Sequence, residues 1–193
     1  SLAWQELMNT PIKVATVANF PSGAEDLSSI LQTIQQAVLD GASEIDLVTA
    51  YPRYIATENP ERGKIQDFIK LCKTYCGKQA KLKIILESGA LTTAQLARAA
   101  EDAIAGGADF LKTSTGKIAQ GASPQAVRLL AEKLKQTDKT IGLKISGGVR
   151  KAEVAFAYCD LVSKILGSSF LQPEFFRIGT SSLLNHLLEL THA

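Results

Sequence analysis

Histidine is scarce in this chain. The two that occur, His186 and His192, lie in the last predicted helix and the tail. The rest of the chain therefore has no histidine that could act as the general base of a serine or cysteine nucleophile, and none to build a histidine-rich metal site. No cluster of carboxylates supplies the oxygen ligands of a metal centre in their place. The sequence therefore predicts no metal, and any chemistry must rest on other side chains.

Excess charge of one sign and long apolar runs are also missing. The 21 lysines and arginines nearly balance 19 aspartates and glutamates, for a net charge of +2. Nucleic-acid and membrane-surface binders need clustered basic charge, so we expect neither partner. No apolar run approaches the ~18 residues of a bilayer span, and the first residues do not follow a signal-peptide pattern.

The three cysteines are odd in number and are not spaced as a disulfide framework. Cys72 and Cys76 lie four residues apart in "LCKTYCGK", on one face of a predicted helix. We interpret them as small buried residues rather than as a redox or metal pair. This usage favours a reducing, cytoplasmic location.

Six apolar, β-rich segments alternate with segments of helical periodicity. The alternation recurs at about 30 residues, which is typical of parallel strands joined by crossover helices. The length, 193 residues, is that of a single domain spanning 1–193. The clearest helices are 25–40, 93–105 and 123–136. The predicted strands are 12–18, 44–49, 82–87, 108–112, 141–145 and 175–178.

Two α/β architectures fit this alternation: an open doubly wound sheet and a (β/α)8 barrel of the TIM type. The first strand is followed by "NFPSGAED" rather than G-x-G-x-x-G, which argues against a dinucleotide site there. Polar or glycine residues instead end several different strands, which is typical of a barrel and makes us favour it. These residues are Asp46, Glu87, Lys112, Lys144 and Gly179.

A closed barrel of this type needs eight βα units and typically about 250 residues, whereas six units are visible. The opening segment "SLAWQELMNT" is typical of a helix that ends just before the first predicted strand. We therefore expect a (β/α)8-type barrel that lacks its first strand and most of its second unit in this chain. Either residues precede Ser1, or a six-stranded sheet leaves edges that something must cover.

Two lysines at the ends of neighbouring strands are the strongest candidates for chemistry. Strand alternation places Lys112 on the same face as Phe110, and Lys144 on the same face as Gly142. Adjacent strands lie about 4.8 Å apart, so inward lysines at matching heights would lower the pKa of one of them. A lysine that is neutral near pH 7 can form a Schiff base with a carbonyl. The alternative is that both lysines extend into solvent.

Asp46, in "EIDLV", faces the same side as Glu44 and Val48. A carboxylate beside two lysines could move protons through a water molecule. It could also serve as a structural counter-ion, for example to Lys83. The two roles are compatible.

Glycine-rich loops follow three consecutive strands and could form one anion site. Glycines let backbone N–H groups approach a phosphate closely, and the start of the last helix adds free donors. In barrels a phosphate site is common at this place. Simple connecting turns are the alternative for any one loop. The candidates are Gly116 and Lys117 in "STGK", Gly147 and Gly148 in "SGGVR", and Gly179, Ser181 and Ser182 in "RIGTSSLL".

These motifs resemble the 2-deoxyribose-5-phosphate aldolase family over about residues 12–188. The segments "VATVANFPSG", "EIDLV", "LKIILESGAL", "GADFLKTSTGK", "GLKISGGVR" and "RIGTSSLL" carry the resemblance. It implies a (β/α)8 class I aldolase that needs no metal and no cofactor. The implied reaction is the reversible cleavage of 2-deoxy-D-ribose 5-phosphate to acetaldehyde and D-glyceraldehyde 3-phosphate, in deoxynucleoside breakdown.

The resemblance also implies a role for each site residue. Lys112 would form the Schiff base, Lys144 would tune it, and Asp46 would handle protons. The first-strand segment like Asp-His-Thr and the cysteine-containing turn of the family's second strand are missing from the chain. The phosphate of the sugar substrate would be held by Thr115, Gly116, Lys117, Gly147, Gly148, Gly179, Ser181 and Ser182.

Two other functions remain open from the residues alone: another lysine-dependent phosphosugar aldolase or transaldolase, and a non-catalytic phosphosugar-binding barrel fragment. For the other aldolase or transaldolase, specificity would lie in the loops after Asp46, "TAYPRYIATENPERG", and after Phe20. We expect a homo-oligomer, most simply a dimer.

Overall fold

A single parallel sheet organises the protein. The computed structural model describes residues 1–57 and 61–191, and each strand pairs with its sequence neighbours in the order β1–β2–β3–β4–β5–β6. All six predicted strands are present, although the first begins three residues later than predicted. The strands are β1 (Ala15–Ala18), β2 (Glu44–Val48), β3 (Lys81–Ile85), β4 (Phe110–Lys112), β5 (Gly142–Ser146) and β6 (Phe176–Gly179).

Helices connect the strands as crossovers. Ser123 and Thr92 cap two of the helices, and Thr92 forms a capping box with Gln95. Short 3₁₀ turns occur at Ser88–Ala90 and Ser168–Leu171. The helices are α1 (Leu2–Leu7), α2 (Leu27–Leu39), α3 (Tyr51–Ala56), α4 (Arg62–Cys76), α5 (Thr93–Ala105), α6 (Pro124–Lys135), α7 (Ala152–Leu166) and α8 (Leu183–Thr191).

The two faces of the sheet differ in chemistry. Alternate residues such as Leu82, Ile84 and Leu111 belong to the apolar core that the strands share with the helices. The residues between them on the central strands, including Lys83 and Lys112, point to the other face, which is buried but charged. Because side chains alternate along a strand, the same sequence builds a hydrophobic layer outside and a polar site inside.

Register aligns the inner residues of neighbouring strands. Lys112 pairs with Lys144 across β4 and β5, and Asp46 pairs with Lys83 across β2 and β3. At the opposite end of the inner face, the Phe110 ring occupies the space beside Gly142.

The described residues form an α/β half-barrel of six curled parallel strands. Within them, β1 and β6 each have a neighbouring strand on one side, because the sheet order does not join its two ends. The predicted α/β class and parallel order are thereby confirmed. No helix among the described residues is long and apolar enough to cross a membrane.

Candidate active site

One carboxylate holds both candidate lysines. Asp46 Oδ2 accepts a hydrogen bond from Lys112 Nζ at 2.7 Å and another from Lys144 Nζ at 2.6 Å. Because both donate to the same oxygen, the two nitrogens lie no more than about 5.3 Å apart. The lysine side chains are 8% and 16% exposed. The alternative in which both lysines extend into solvent is therefore wrong.

A third lysine supports the same carboxylate from its other oxygen. Lys83, which is fully buried, donates to Asp46 Oδ1 at 2.9 Å and forms an ion pair with Glu44 Oε2 at 2.6 Å. Arg177 on β6 lies 3.3 Å from the other oxygen of Glu44. The proposed structural counter-ion role of Asp46 is therefore present alongside its contact with both site lysines.

The electrostatics of this cluster act on Lys112 and Asp46 in opposite ways. Burial lowers the pKa of Lys112, and the charges of Lys144 and Lys83 lower it further, against the opposing effect of Asp46. Burial raises the pKa of Asp46, but the three lysines together outweigh it and bring that pKa well below its usual range. The direction predicted for Lys112 is confirmed, with burial rather than repulsion between lysines as the larger cause.

The loop after β4 lies beside the loop after β5. Gly116 and Gly147 both have positive φ angles, 77° and 90°, and a Cβ on Gly116 would lie 3.9 Å from Gly147 Cα. Gly148, with φ of 85°, has open space where a side chain would be. Lys117 is exposed at the tip of the first loop. Two of the three predicted glycine loops therefore meet.

The third loop joins them through a threonine. Thr180 Oγ1 donates to Val149 O at 2.7 Å, which ties the loop after β6 to the loop after β5. It also accepts from the N–H groups of Ser182 and Leu183, so it caps the start of α8. Ser181 and Ser182 are exposed here.

Gly179 is needed for packing against the site. It lies opposite Ser146 in the β5–β6 register, and a Cβ at this position would lie 3.1 Å from Lys144 Cε. A larger residue would push on the second lysine.

Thr115 faces a carboxylate rather than open space. Its N–H donates to Glu87 Oε1 at 3.2 Å, and its hydroxyl donates to Glu87 Oε2. Both donors of this predicted phosphate ligand are thus used within the protein.

Sequence reasoning missed several polar residues at the strand ends. Ser146 Oγ donates to Ser114 O at 2.6 Å, and Thr113 Oγ1 donates to Ser146 O at 2.8 Å. The position of Arg177, two residues before Gly179 and so on the same face of its strand, could have indicated its place in the charged cluster. The serine and threonine bonds depend on the relative height of two loops, for which the sequence contains no local signal.

His186 and the two cysteines lie in α8 and α4 rather than on the strands of this cluster. His186 Nδ1 accepts from Ala152 N at 3.2 Å, while His192 lies outside the described residues. Cys72 and Cys76 are buried, as predicted, and burial raises the pKa of their thiols to about 12 and about 11. The loop "TAYPRYIATENPERG" is described except for residues 58–60.

A buried lysine with a lowered pKa is bonded here through one carboxylate to a second lysine, on the inner face of a parallel sheet. This arrangement is typical of α/β enzymes that use a lysine amine on a carbonyl compound. The chain belongs to the DeoC/LacD family of aldolases, whose family model matches residues 3–188.

Individual relatives agree with that assignment. The chain is 37% identical over 180 residues to a deoxyribose-phosphate aldolase of Agrobacterium fabrum, covering 93% of this chain and 68% of the relative. It superposes with a TM-score of 0.84 and 29% identity on the apo form of a Toxoplasma gondii protein provisionally assigned the same activity, covering 94% of this chain and 70% of the other. The tetrameric deoxyribose phosphate aldolase of Aeropyrum pernix gives a TM-score of 0.69 at 26% identity, covering 98% and 71%.

Proposed function

We propose that this aldolase cleaves 2-deoxy-D-ribose 5-phosphate reversibly through an imine on Lys112, with Lys144 and Asp46 as its partners. The observation that carries the proposal is the single Asp46 oxygen that accepts hydrogen bonds from both lysine nitrogens. In this proposal the nucleophile Lys112 and the second cation Lys144 each lie within hydrogen-bond distance of Asp46, the proton acceptor. The family assignment supports the same reaction.

Imine formation begins with the neutral amine of Lys112. Burial keeps a larger fraction of this amine uncharged than an exposed lysine would have. The amine attacks C1 of the open-chain aldehyde to form a carbinolamine. Loss of water, with Asp46 and Lys144 passing the proton, then gives the protonated imine.

Carbon–carbon cleavage follows from the imine. A base, Asp46 acting directly or through water, removes the proton of the C3 hydroxyl, and the C2–C3 bond breaks toward the cationic nitrogen. Glyceraldehyde 3-phosphate leaves, and the enamine of acetaldehyde remains on Lys112. Protonation of the enamine carbon and hydrolysis of the resulting imine release acetaldehyde and restore the free amine.

The adjoining glycine loops are the proposed phosphate site. Gly116, Gly147 and Gly148 expose backbone in left-handed conformations that let a dianion approach. Lys117 and the first residues of α8, with Ser181 and Ser182, add charge and donors. Gly179 has no side chain, so it does not crowd Lys144 where the phosphate site adjoins that lysine.

We infer that the sheet is part of an eight-stranded barrel. The open edges β1 and β6, and the 68–71% coverage of its relatives, support two further βα units pairing there. We also propose a cytoplasmic homo-oligomer with a dimer as its smallest form. Light scattering on the purified chain measures that state.

Borohydride trapping tests the reaction. Incubation with acetaldehyde and sodium borohydride should leave one ethyl group per chain, located on the Lys112 peptide by mass spectrometry. Lys112→Ala should bind none and retain its melting temperature within a few degrees. A folded wild-type chain without an adduct on Lys112, or with the adduct on another lysine, would contradict the proposed mechanism.

A further inference from the structure

Glu87 has an unusual backbone conformation for its residue type. It is the second residue after β3, it is fully buried, and it has φ of 54° and ψ of 55°. This left-handed region is uncommon for residues other than glycine and is tolerated where surrounding contacts enforce it.

The carboxylate of Glu87 binds the loop after β4 with both oxygens. Oε1 accepts from Thr115 N at 3.2 Å, and Oε2 accepts from the Thr115 hydroxyl. Among the described residues, Glu87 forms no ion pair with a lysine or arginine. Both oxygens of its carboxylate thus accept hydrogen bonds from this loop. Hydrogen bonds to a carboxylate are stronger than hydrogen bonds to a neutral acceptor.

The contact continues into the tip of the loop. Thr115 Oγ1 accepts from Lys117 N at 3.0 Å, so the hydroxyl that Glu87 holds also fixes the turn that contains Gly116. This series of bonds sets the direction of the loop's backbone N–H groups. Both donors of Thr115 bind Glu87, so Thr115 supports the conformation of the loop and does not offer a donor to the phosphate.

A parallel set of contacts runs beside the first. Ser88 N donates to Thr113 O at 2.8 Å, and the hydroxyls of Ser88 and Ser114 lie 3.3 Å apart. Gly89 approaches Gln120 so closely that a Cβ would lie 1.9 Å from its carbonyl oxygen. The segment after β3 therefore contacts the 113–120 loop at both of its ends.

We propose that Glu87 is a positioning residue that holds the 113–117 loop in the conformation that receives the substrate's phosphate. Glu87 thereby sets the preference for phosphorylated over unphosphorylated substrates. This inference rests on the proposed phosphate site, and it assigns a role to a carboxylate that the reaction itself does not use.

Two physical effects of Glu87 on a phosphate have opposite signs. A negative charge near the site repels a dianion, so removing that charge alone would tighten phosphate binding. Ordering of the loop by Glu87 favours binding, so losing the hydrogen bonds would weaken it. The sign of the change on substitution therefore separates the two.

The experiment measures inorganic phosphate binding by calorimetry and compares kinetics on deoxyribose 5-phosphate and on deoxyribose. For Glu87→Gln we expect phosphate affinity to fall on the order of tenfold, as for the loss of a charge-assisted hydrogen bond. KM should rise for the phosphorylated sugar, while kcat/KM for deoxyribose stays within about twofold. In a double-mutant cycle with Thr115→Val, the second substitution should add little to the first.

Two further variants complete the test. Asp102→Asn changes another fully buried carboxylate, which binds Tyr54, Arg62 and Gln66, and should lower stability without changing phosphate affinity. Glu87→Asn suits the left-handed backbone but is too short for both contacts, so it serves if Glu87→Gln does not fold. The phosphate affinity of Glu87→Asn should fall as much as that of Glu87→Gln.

Three outcomes would overturn the inference: tighter phosphate binding by Glu87→Gln, an equal loss on both sugars, or no phosphate binding by the wild-type chain. Failure of the proposed reaction is distinguishable from these. It would appear as a wild-type chain that binds phosphate but forms no imine on Lys112, and the binding comparison would still be measurable.

Discussion

Lys83 Nζ lies 2.9 Å from Asp46 Oδ1, on the oxygen that the two site lysines leave free. Because Lys83 also pairs with Glu44 at 2.6 Å, its charge is held in place at the base of the site. The carboxylate is thus fixed from below and presents its other oxygen to Lys112 and Lys144. This arrangement orients the proton-handling group before any substrate is bound.

Replacing Lys83 should change the pH dependence of the reaction. Lys83→Met removes a positive charge that lowers the pKa of Lys112, so that pKa should rise. Less of the amine is then neutral at pH 7, and the acid limb of the rate of imine formation should move to higher pH. Stopped-flow measurement with acetaldehyde across pH reports the shift.

The control for this change is the partner of Lys83. Glu44→Gln removes one of the two carboxylates that pair with Lys83, so the net positive charge near Lys112 grows and the acid limb should move to lower pH. Each single variant breaks a buried ion pair at a cost of about 3–5 kcal/mol, whereas the double variant Glu44→Gln/Lys83→Met removes both charges. If the pH dependence of imine formation is the same in all three variants and the wild type, Lys83 supports the structure but does not set the pKa of Lys112.

Most of the fold could be predicted from the sequence because it depends on local pattern. Six apolar runs at regular spacing determine a parallel sheet, and Lys112 and Lys144 occupy the same face by strand alternation alone. Lys83 is a candidate counter-ion of Asp46 from the sequence, which does not fix where Lys83 lies; the 2.9 Å bond between them confirms the pairing. The Glu87–Thr115 contact could not be predicted, because it depends on the conformations of two loops that are distant in sequence.

Lys144→Leu should raise the pKa of Lys112, because the charge of Lys144 lowers it in the native site. It also removes one of the two donors to Asp46 Oδ2. We expect the rate at pH 7 to fall about a hundredfold, the scale of one proton-transferring group. Part of that loss should be recovered at higher pH, where Lys112 is deprotonated. A profile with unchanged shape would contradict the coupling of the two lysines.

Ser182→Asp should weaken binding of the substrate's phosphate. Ser182 is exposed just before α8, in the loop proposed to receive the phosphate, so an added carboxylate would bring a negative charge near the proposed dianion. Repulsion of ~1.4 kcal/mol would raise KM for deoxyribose 5-phosphate roughly tenfold. Steady-state kinetics on deoxyribose provides the comparison, since an equal loss on both sugars would place the phosphate elsewhere.

Gly142→Ala should destabilise the half-barrel from its inner face. A Cβ at Gly142 would lie 2.2 Å from the Phe110 ring, which is fixed among Lys81, Lys83 and Arg177 at 5.5–5.9 Å. An overpacked core of this kind costs about 1–3 kcal/mol, measurable by urea unfolding.

Gly63→Ala is the matched control for that substitution. Gly63 is the second residue of α4, and among the described residues nothing lies within 4 Å of an added Cβ, so alanine should stabilise the helix by up to about 0.5 kcal/mol. The two identical changes should therefore shift the unfolding midpoint in opposite directions. Equal shifts would mean that the Phe110 ring can move aside, and that the inner face is packed less tightly than its geometry indicates.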